Sequence, residues 1–164
     1  MIITGTKAPE FCLENQDDKE ISLKDNKSKW MVLCFYPKDN ISGCTKEACD
    51  FTESLKDYKK LNATVLGVSP DRTGSHRNFI EKQNLGITLL SDPDKKVYKA
   101  YGAWGMKKNY GKEYEGVIRS TFIISPEGKI AEIWSIVKVR VKRKDGEVRH
   151  VDVVKEQLKA LQNE

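Results

Sequence analysis

The seven residues from Trp30 to Tyr36, "WMVLCFY", contain no charge, no amide and no turn former. A bounded apolar run of this length reads as a strand covered on both faces. Strands of that kind belong to sheets flanked by helices, so this one segment argues for an α/β fold. "TVLGVSP" (Thr64 to Pro70) and "ITLLSD" (Ile87 to Asp92) read as further strands. Between the first two lies Cys44 to Lys60, with Ala48, Phe51, Leu55 and Tyr58 at spacings of three and four, which predicts one apolar stripe on a helix. Ser75 to Gln83 predicts a second helix with Ser75 as its N-cap. After "ITLLSD", Asp92 caps a third helix, Pro93 takes its first position and Gly102 ends it.

The remaining segments fill out the architecture. "EFCLENQDDKEISL" predicts an N-terminal hairpin, two short strands around the turn "NQDD". "GAWGMKKNYGKEYEG" (Gly102 to Gly116) reads as a loop. "VIRSTFIIS" and "KIAEIWSIV" flank "SPEGK", a hairpin, and Asp145-Gly146 marks a second one. A helix from Val153 to Gln162 closes the chain. With 164 residues and no linker or repeat, a single domain over 1–164 is expected, a mixed central sheet with helices on both faces.

Charge and cysteine usage narrow the function classes. The 29 Lys and Arg residues are interspersed with 24 Asp and Glu residues, a net charge of +5, which describes a solvated mixed surface. The segment "KVRVKRKDGEVRH" alternates Val137, Val139 and Val141 with Lys138, Arg140 and Lys142. That pattern predicts an exposed strand whose cations discourage edge pairing. A ribbon for nucleic acid is the weaker reading, and nucleic acid is not an expected partner. Four cysteines are too few for a disulfide scaffold. The start "MIITGTKAPEF" has no signal-peptide pattern, and no apolar run approaches the ~20 residues of a membrane span. A reducing cytoplasm with free or cycling thiols is the expectation, and no membrane contact.

Two of the cysteines lie where strand gives way to helix. Cys44 follows Gly43 at the predicted helix start, where unpaired N–H groups and the helix dipole favour a thiolate. Gly43 lets backbone amides approach a small ligand. The site suits a nucleophile, and it equally suits a half-buried cysteine without chemistry. Cys49 lies five residues on. In an intact helix the two Cα atoms are about 8.6 Å apart, beyond the roughly 7 Å limit for a disulfide. A bond between them requires the first turns to unwind; otherwise Cys49 is a small packing residue. Cys34 and Cys12 are expected to pack in the interior. No paired ligand pattern for a metal is present, and His76 and His150 read as surface groups. No P-loop or dinucleotide fingerprint occurs, so no cofactor is expected.

At this point "FYPKDNISGCTKEACDF" resembles the active-site segment of the bacterioferritin-comigratory, Q-type peroxiredoxins. The resemblance continues through "LGVSPD", "LLSDPDKKV", "YGAWGMKKNYGKEYEGVIRSTFIISPEGKI" and the final helix. It implies a thioredoxin-like fold and thiol-dependent reduction of hydrogen peroxide and organic hydroperoxides. It implies Cys44 as peroxidatic and Cys49 as resolving cysteine, Pro37 as a shield for the thiolate and Arg119 as its cation. Gly43 and Ser42 fall on the substrate side. An intrachain Cys44–Cys49 disulfide would be reduced by thioredoxin or a similar dithiol, with no metal or other cofactor, in a monomer. The family pattern has Thr where this chain has Ile41, whose side chain offers no hydroxyl to a peroxide, and Ser42 replaces the usual Pro. A slower peroxidase is the expectation. The rival is a non-catalytic redox sensor or disulfide donor.

Overall fold

The computed structural model describes residues 2–26, 28–109 and 111–163, with the side chains of 107–109 left aside. The run at Trp30–Phe35 (β3) is an interior strand of the sheet. It pairs in parallel with Ala63–Ser69 (β4) and antiparallel with Ser120–Ile124 (β8). β4 pairs in parallel with Thr88–Ser91 (β5), and β8 antiparallel with Ile130–Ser135 (β9). Cys12–Asn15 (β1) joins the far edge of β5 and pairs with Glu20–Ser22 (β2), the expected N-terminal hairpin. The result is a mixed seven-stranded sheet in the order β2-β1-β5-β4-β3-β8-β9.

Alternation along β3 divides the core in two. Met31, Leu33 and Phe35 face a cluster with Tyr98, Tyr101 and Phe122. Val32 and Cys34, with Tyr36 just beyond the strand, face the other cluster, with Phe51, Tyr58, Phe79 and Val154. Helices lie on both faces, unevenly. The second face carries Ser42–Glu53 (α1), Leu55–Lys60 (α2), Thr73–Gln83 (α3) and His150–Gln162 (α5). The first is covered by a 3₁₀ turn at Leu23–Asn26, by the short helix Lys96–Ala100 (α4) and by aromatic packing. There the Phe35 ring meets Tyr98 and Phe122 at centroid distances of 5.0 and 5.7 Å.

Several expectations need correction. The helix predicted over Cys44 to Lys60 starts at Ser42 and breaks at Ser54, where ψ is 5°. The helix expected from Ser75 begins at Thr73, because the Ser75 hydroxyl donates to Asp39 Oδ2 (2.8 Å) instead of capping. Asp92 does cap α4, its Oδ2 accepting from the N–H groups of Val97 and Tyr98, but Pro93 lies in the turn before that helix. The segment read as a loop is a separate antiparallel hairpin, Trp104–Asn109 (β6) with Lys112–Val117 (β7). Its Gly, Lys and Glu residues hide the ladder from any propensity argument. The terminal helix starts at His150, three residues before the expected Val153. His76 and His150, expected at the surface, are both buried, and Cys12, expected inside, is exposed.

The basic segment forms the second predicted hairpin, Arg140–Arg143 (β10) with Gly146–Arg149 (β11), a two-stranded sheet of its own. Val137, Val139 and Val141 are half-buried, and Lys138, Arg140 and Lys142 are exposed.

The Tyr98 hydroxyl ties α4 to the end of β3. It lies 2.6 Å from both Tyr36 O and Val68 O. Val68 O also accepts the Tyr36 N–H, so Tyr36 O depends on this phenol. Tyr98→Phe should therefore lower the unfolding free energy by about 1–3 kcal/mol, the cost of a buried acceptor left unpaired, measured by urea denaturation.

Candidate active site

The strand β3 runs out into a loop, Tyr36 to Asn40, that a buried carboxylate holds. Asp39 Oδ1 accepts from the Tyr36 hydroxyl (2.6 Å), and Oδ2 lies 2.8 Å from both the Ser75 hydroxyl and His76 Nδ1. His76 Nε2 meets Leu90 O at 2.9 Å. The Asp39 N–H donates to Asp71 Oδ2 at 2.7 Å, and the Ser69 hydroxyl donates to the same oxygen at 2.8 Å. Residues from β3, β4, α3 and β5 thus converge under one loop. Within it Pro37 is half-buried, and Asn40 takes the left-handed conformation at φ 67° that turns the chain into α1.

Helix α1 begins without a side-chain cap. Ile41 holds the N-cap position, and 44% of its surface is exposed. Ser42 is exposed, and its hydroxyl makes no hydrogen bond among those described. Cys44 is the third residue of the helix, where backbone N–H groups have no intrahelical acceptor, and only 2% of its surface is exposed.

Arg119 arrives from the opposite direction. Phe35 of β3 pairs with Ser120 of β8, so Arg119 stands beside the point where β3 gives way to the loop. Its carbonyl accepts the Val137 N–H at 2.8 Å. Nη2 donates to Cys44 Sγ and Nη1 to Glu47 Oε1, both at 3.1 Å. Gly43 makes room: a Cβ there would lie 3.3 Å from Nη2. The structure therefore brings Cys44, Arg119, Gly43 and the loop bearing Pro37 to one place. Cys49 lies further along α1, half-buried, and all four cysteines are free thiols.

Opposing effects act on Cys44. Burial is the largest effect and leaves the thiol above its ordinary value, although the Arg119 charge and the Lys38 N–H pull it down; a charged Glu47 adds to the rise. Glu47 is itself buried, and burial raises its carboxyl to about 7 despite Arg119. Its second oxygen, Oε2, has no hydrogen-bond partner among the described residues. One cation thus faces two buried acids, and a neutral Glu47 leaves Arg119 to the sulfur.

Glu47 escaped the sequence reading, although its spacing of three from Cys44 puts both on one helical face. Nothing in the sequence pointed to Asp39 with His76, which are 37 residues apart. Cys34 is buried on β3 opposite Thr121, and desolvation raises its thiol well above the ordinary value. Thr121 Oγ1 lies 2.9 Å from His150 Nε2, and burial, then the Arg119 charge, lowers that imidazole to about 4.

A thiol at a helix start, met by a guanidinium from the residue before β8, defines a thiol-redox centre, and comparison with known proteins identifies its family. The AhpC/TSA family pattern matches residues 4–133. Peroxiredoxin Bcp of Bacillus subtilis is 46% identical over 136 residues, 83% of this chain and 87% of that protein. A putative peroxiredoxin bcp of Helicobacter pylori is 50% identical over 136 residues, 83% of this chain and 90% of that protein. The solved bacterioferritin comigratory protein of Xanthomonas campestris superposes with a TM-score of 0.85 at 36% identity, covering 96% of this chain and 98% of that one. A cysteine mutant of Xylella fastidiosa PrxQ gives 0.88 at 34% identity, covering 99% and 98%. The chain belongs to the AhpC/TSA family and, within it, to the Bcp or Q-type peroxiredoxins, thiol peroxidases on a thioredoxin-like fold. Such an enzyme takes a hydroperoxide and a thiol reductant. Among the described residues no helix is long and apolar enough to cross a membrane.

The raised Glu47 predicts a pH signature. Between its ordinary value of 4.5 and about 7 the folded protein keeps a proton that the unfolded chain has released. The native state then binds more protons, so this group's contribution to stability falls as pH rises through that window. Measured against Glu47→Gln, which cannot titrate, the native protein should lose up to roughly 3 kcal/mol between pH 4.5 and 8. Urea denaturation of both proteins across that range checks it.

Proposed function

We propose that the chain acts as an atypical two-cysteine peroxidase on hydrogen peroxide and organic hydroperoxides, working as one domain and as a monomer in a reducing cytoplasm. The observation that carries this reading is the 3.1 Å approach of Arg119 Nη2 to Cys44 Sγ at the start of α1. A guanidinium keeps its charge at any relevant pH and stabilises both a thiolate and a polarised peroxide oxygen. The half-buried Pro37 limits water at the sulfur. Gly43 and Ser42 present the first amides of α1 to the incoming oxygen.

In the first step the Cys44 thiolate attacks the terminal peroxide oxygen. The S–O bond forms, the O–O bond breaks, and ROO–H plus one proton yields the alcohol or water with Cys44–SOH. In the second step α1 opens and the Cys49 thiol displaces hydroxide from the sulfenic sulfur, giving the Cys44–Cys49 disulfide and water. The opening is obligatory, since Cα atoms five residues apart in a helix are about 8.6 Å apart. An external dithiol, thioredoxin by expectation, restores both thiols by exchange. The bacterioferritin comigratory protein of Xanthomonas campestris has alkyl peroxide reduction activity, which supports an organic hydroperoxide among the substrates.

Peroxide consumption with excess thioredoxin and its reductase tests the reading. Sustained turnover that Cys44→Ser abolishes is the expected result. A single stoichiometric oxidation would instead make the chain a redox sensor or disulfide donor. The family's Thr position gives a second prediction. Ile41→Thr supplies a hydroxyl at the uncapped start of α1, three residues before Cys44. It should raise kcat/KM for peroxide by about tenfold and add about 1 kcal/mol of stability as a helix cap. Stopped-flow kinetics and denaturation read the two effects separately.

A further inference from the structure

The β10–β11 hairpin lies beyond the stretch matched by the family pattern, and it belongs to no part of the central sheet. It is nevertheless fastened to α1. Asp50, the residue after Cys49, has 2% of its side chain exposed. Arg140 grips it with a fork, Nη2 to Oδ1 at 2.7 Å and Nε to Oδ2 at 3.2 Å. Arg149, paired with Arg140 across the hairpin, places Nη1 3.6 Å from Asp50 Oδ1 and donates to Glu53 Oε2 at 3.2 Å. Both arginines are braced, Arg140 by Glu147 (3.1 Å) and Arg149 by Asp152 of α5 (3.0 Å). Lys155 of α5 reaches Asp57 of α2 at 3.3 Å.

We infer that this hairpin is a clamp on α1: Arg140 and Arg149, through Asp50, set how readily the helix opens for Cys49 to reach oxidised Cys44. The inference rests on the Cys44–Cys49 resolution step proposed above. A two-pronged, charge-assisted pair must break before the turn carrying Cys49 and Asp50 can unwind. Without its arginines the same aspartate is a buried, unpaired charge, which favours the unwound state. Two fates compete for the sulfenic acid. Cys44–SOH and Cys49–SH give the disulfide and water. Cys44–SOH and a second hydroperoxide, ROOH, give the sulfinic acid and ROH. The first needs the open helix and the second does not. The clamp therefore prolongs the sulfenic state and raises the share lost to over-oxidation.

The test compares native protein with Arg140→Gln, Arg149→Gln and the double variant. Reduced protein is mixed with hydrogen peroxide, quenched in time and weighed by mass spectrometry. Oxidation of Cys44 should proceed at the native rate in every variant, which also certifies the fold. Disulfide formation in the double variant should be at least about tenfold faster, with a smaller sulfinic fraction at excess peroxide. Amide hydrogen exchange over Ser42–Glu53 in the reduced protein should rise by a similar factor. Asp50→Asn, which keeps the side-chain shape and one acceptor oxygen, should move both readouts in the same direction by less. Unchanged disulfide rates in folded variants overturn the clamp alone. A native protein that yields no Cys44–Cys49 peptide after one equivalent of peroxide overturns the resolution step, and the clamp's role with it.

Discussion

The Arg119 guanidinium reaches Cys44 Sγ and Glu47 Oε1 at the same distance, 3.1 Å, and all three groups are largely withdrawn from water. Burial disfavours either acid in its charged form. With one cation between them, the two cannot both ionise cheaply: burial holds the Cys44 thiol above its ordinary value and raises the Glu47 carboxyl to about 7. When Glu47 is neutral, the cation is left to the sulfur. This balance depends on placement more than on composition. The β3–β8 register sets the height of Arg119, the Val137 N–H holds its backbone, and Gly43 leaves the gap its Nη2 occupies.

The opposite side of the site is held by a different device. Asp39 collects Tyr36, Ser75 and His76, and its own N–H is held by Asp71. These partners come from the end of β3, from α3 and from the turn after β4, so the loop bearing Pro37 is fixed from three elements at once. Buried polar networks with every member paired specify one geometry. Here that geometry includes a left-handed Asn40, a conformation that needs support from its surroundings. The site thus has a rigid floor and a helix above it.

Sequence reading recovered what short-range pattern encodes. The apolar runs became β3, β4 and β5, the Asp145-Gly146 turn became the β10–β11 hairpin, and the stripe through Ala48, Phe51 and Tyr58 became the buried face of α1 and α2. What pattern could not supply were pairings between distant residues. Ser75 looked like a cap because its competitor, Asp39, is 36 residues away. Both histidines looked like surface groups because a sequence does not display the carboxylate of Asp39 or the hydroxyl of Thr121 that lets each be buried. The β6–β7 ladder was invisible because its Gly, Lys and Glu residues carry no apolar alternation. Arg119 was assigned to the site by resemblance alone; the physical reason for its position is a strand register.

Helix α1 owes little of its stability to its own sequence. It has no side-chain cap, no acidic residue in its first turn and no basic residue in its last. Thr52 turns its hydroxyl back onto Ala48 O, and Ser54 interrupts the helix one residue after Glu53. A twelve-residue helix with such ends is marginal in water. Its order comes from tertiary contacts: Phe51 in the core against Tyr58 of α2, and Asp50 in the grip of Arg140 and Arg149. That division suits the proposed cycle, in which the helix presents Cys44 intact and then releases Cys49. Stabilising it through caps would oppose opening at the reacting end itself. In the proposed clamp, holding it from the side leaves the Cys44 turn loosely capped and places the control of unwinding on residues 90 and more positions away in the chain, where it can vary without disturbing Cys44 and Arg119.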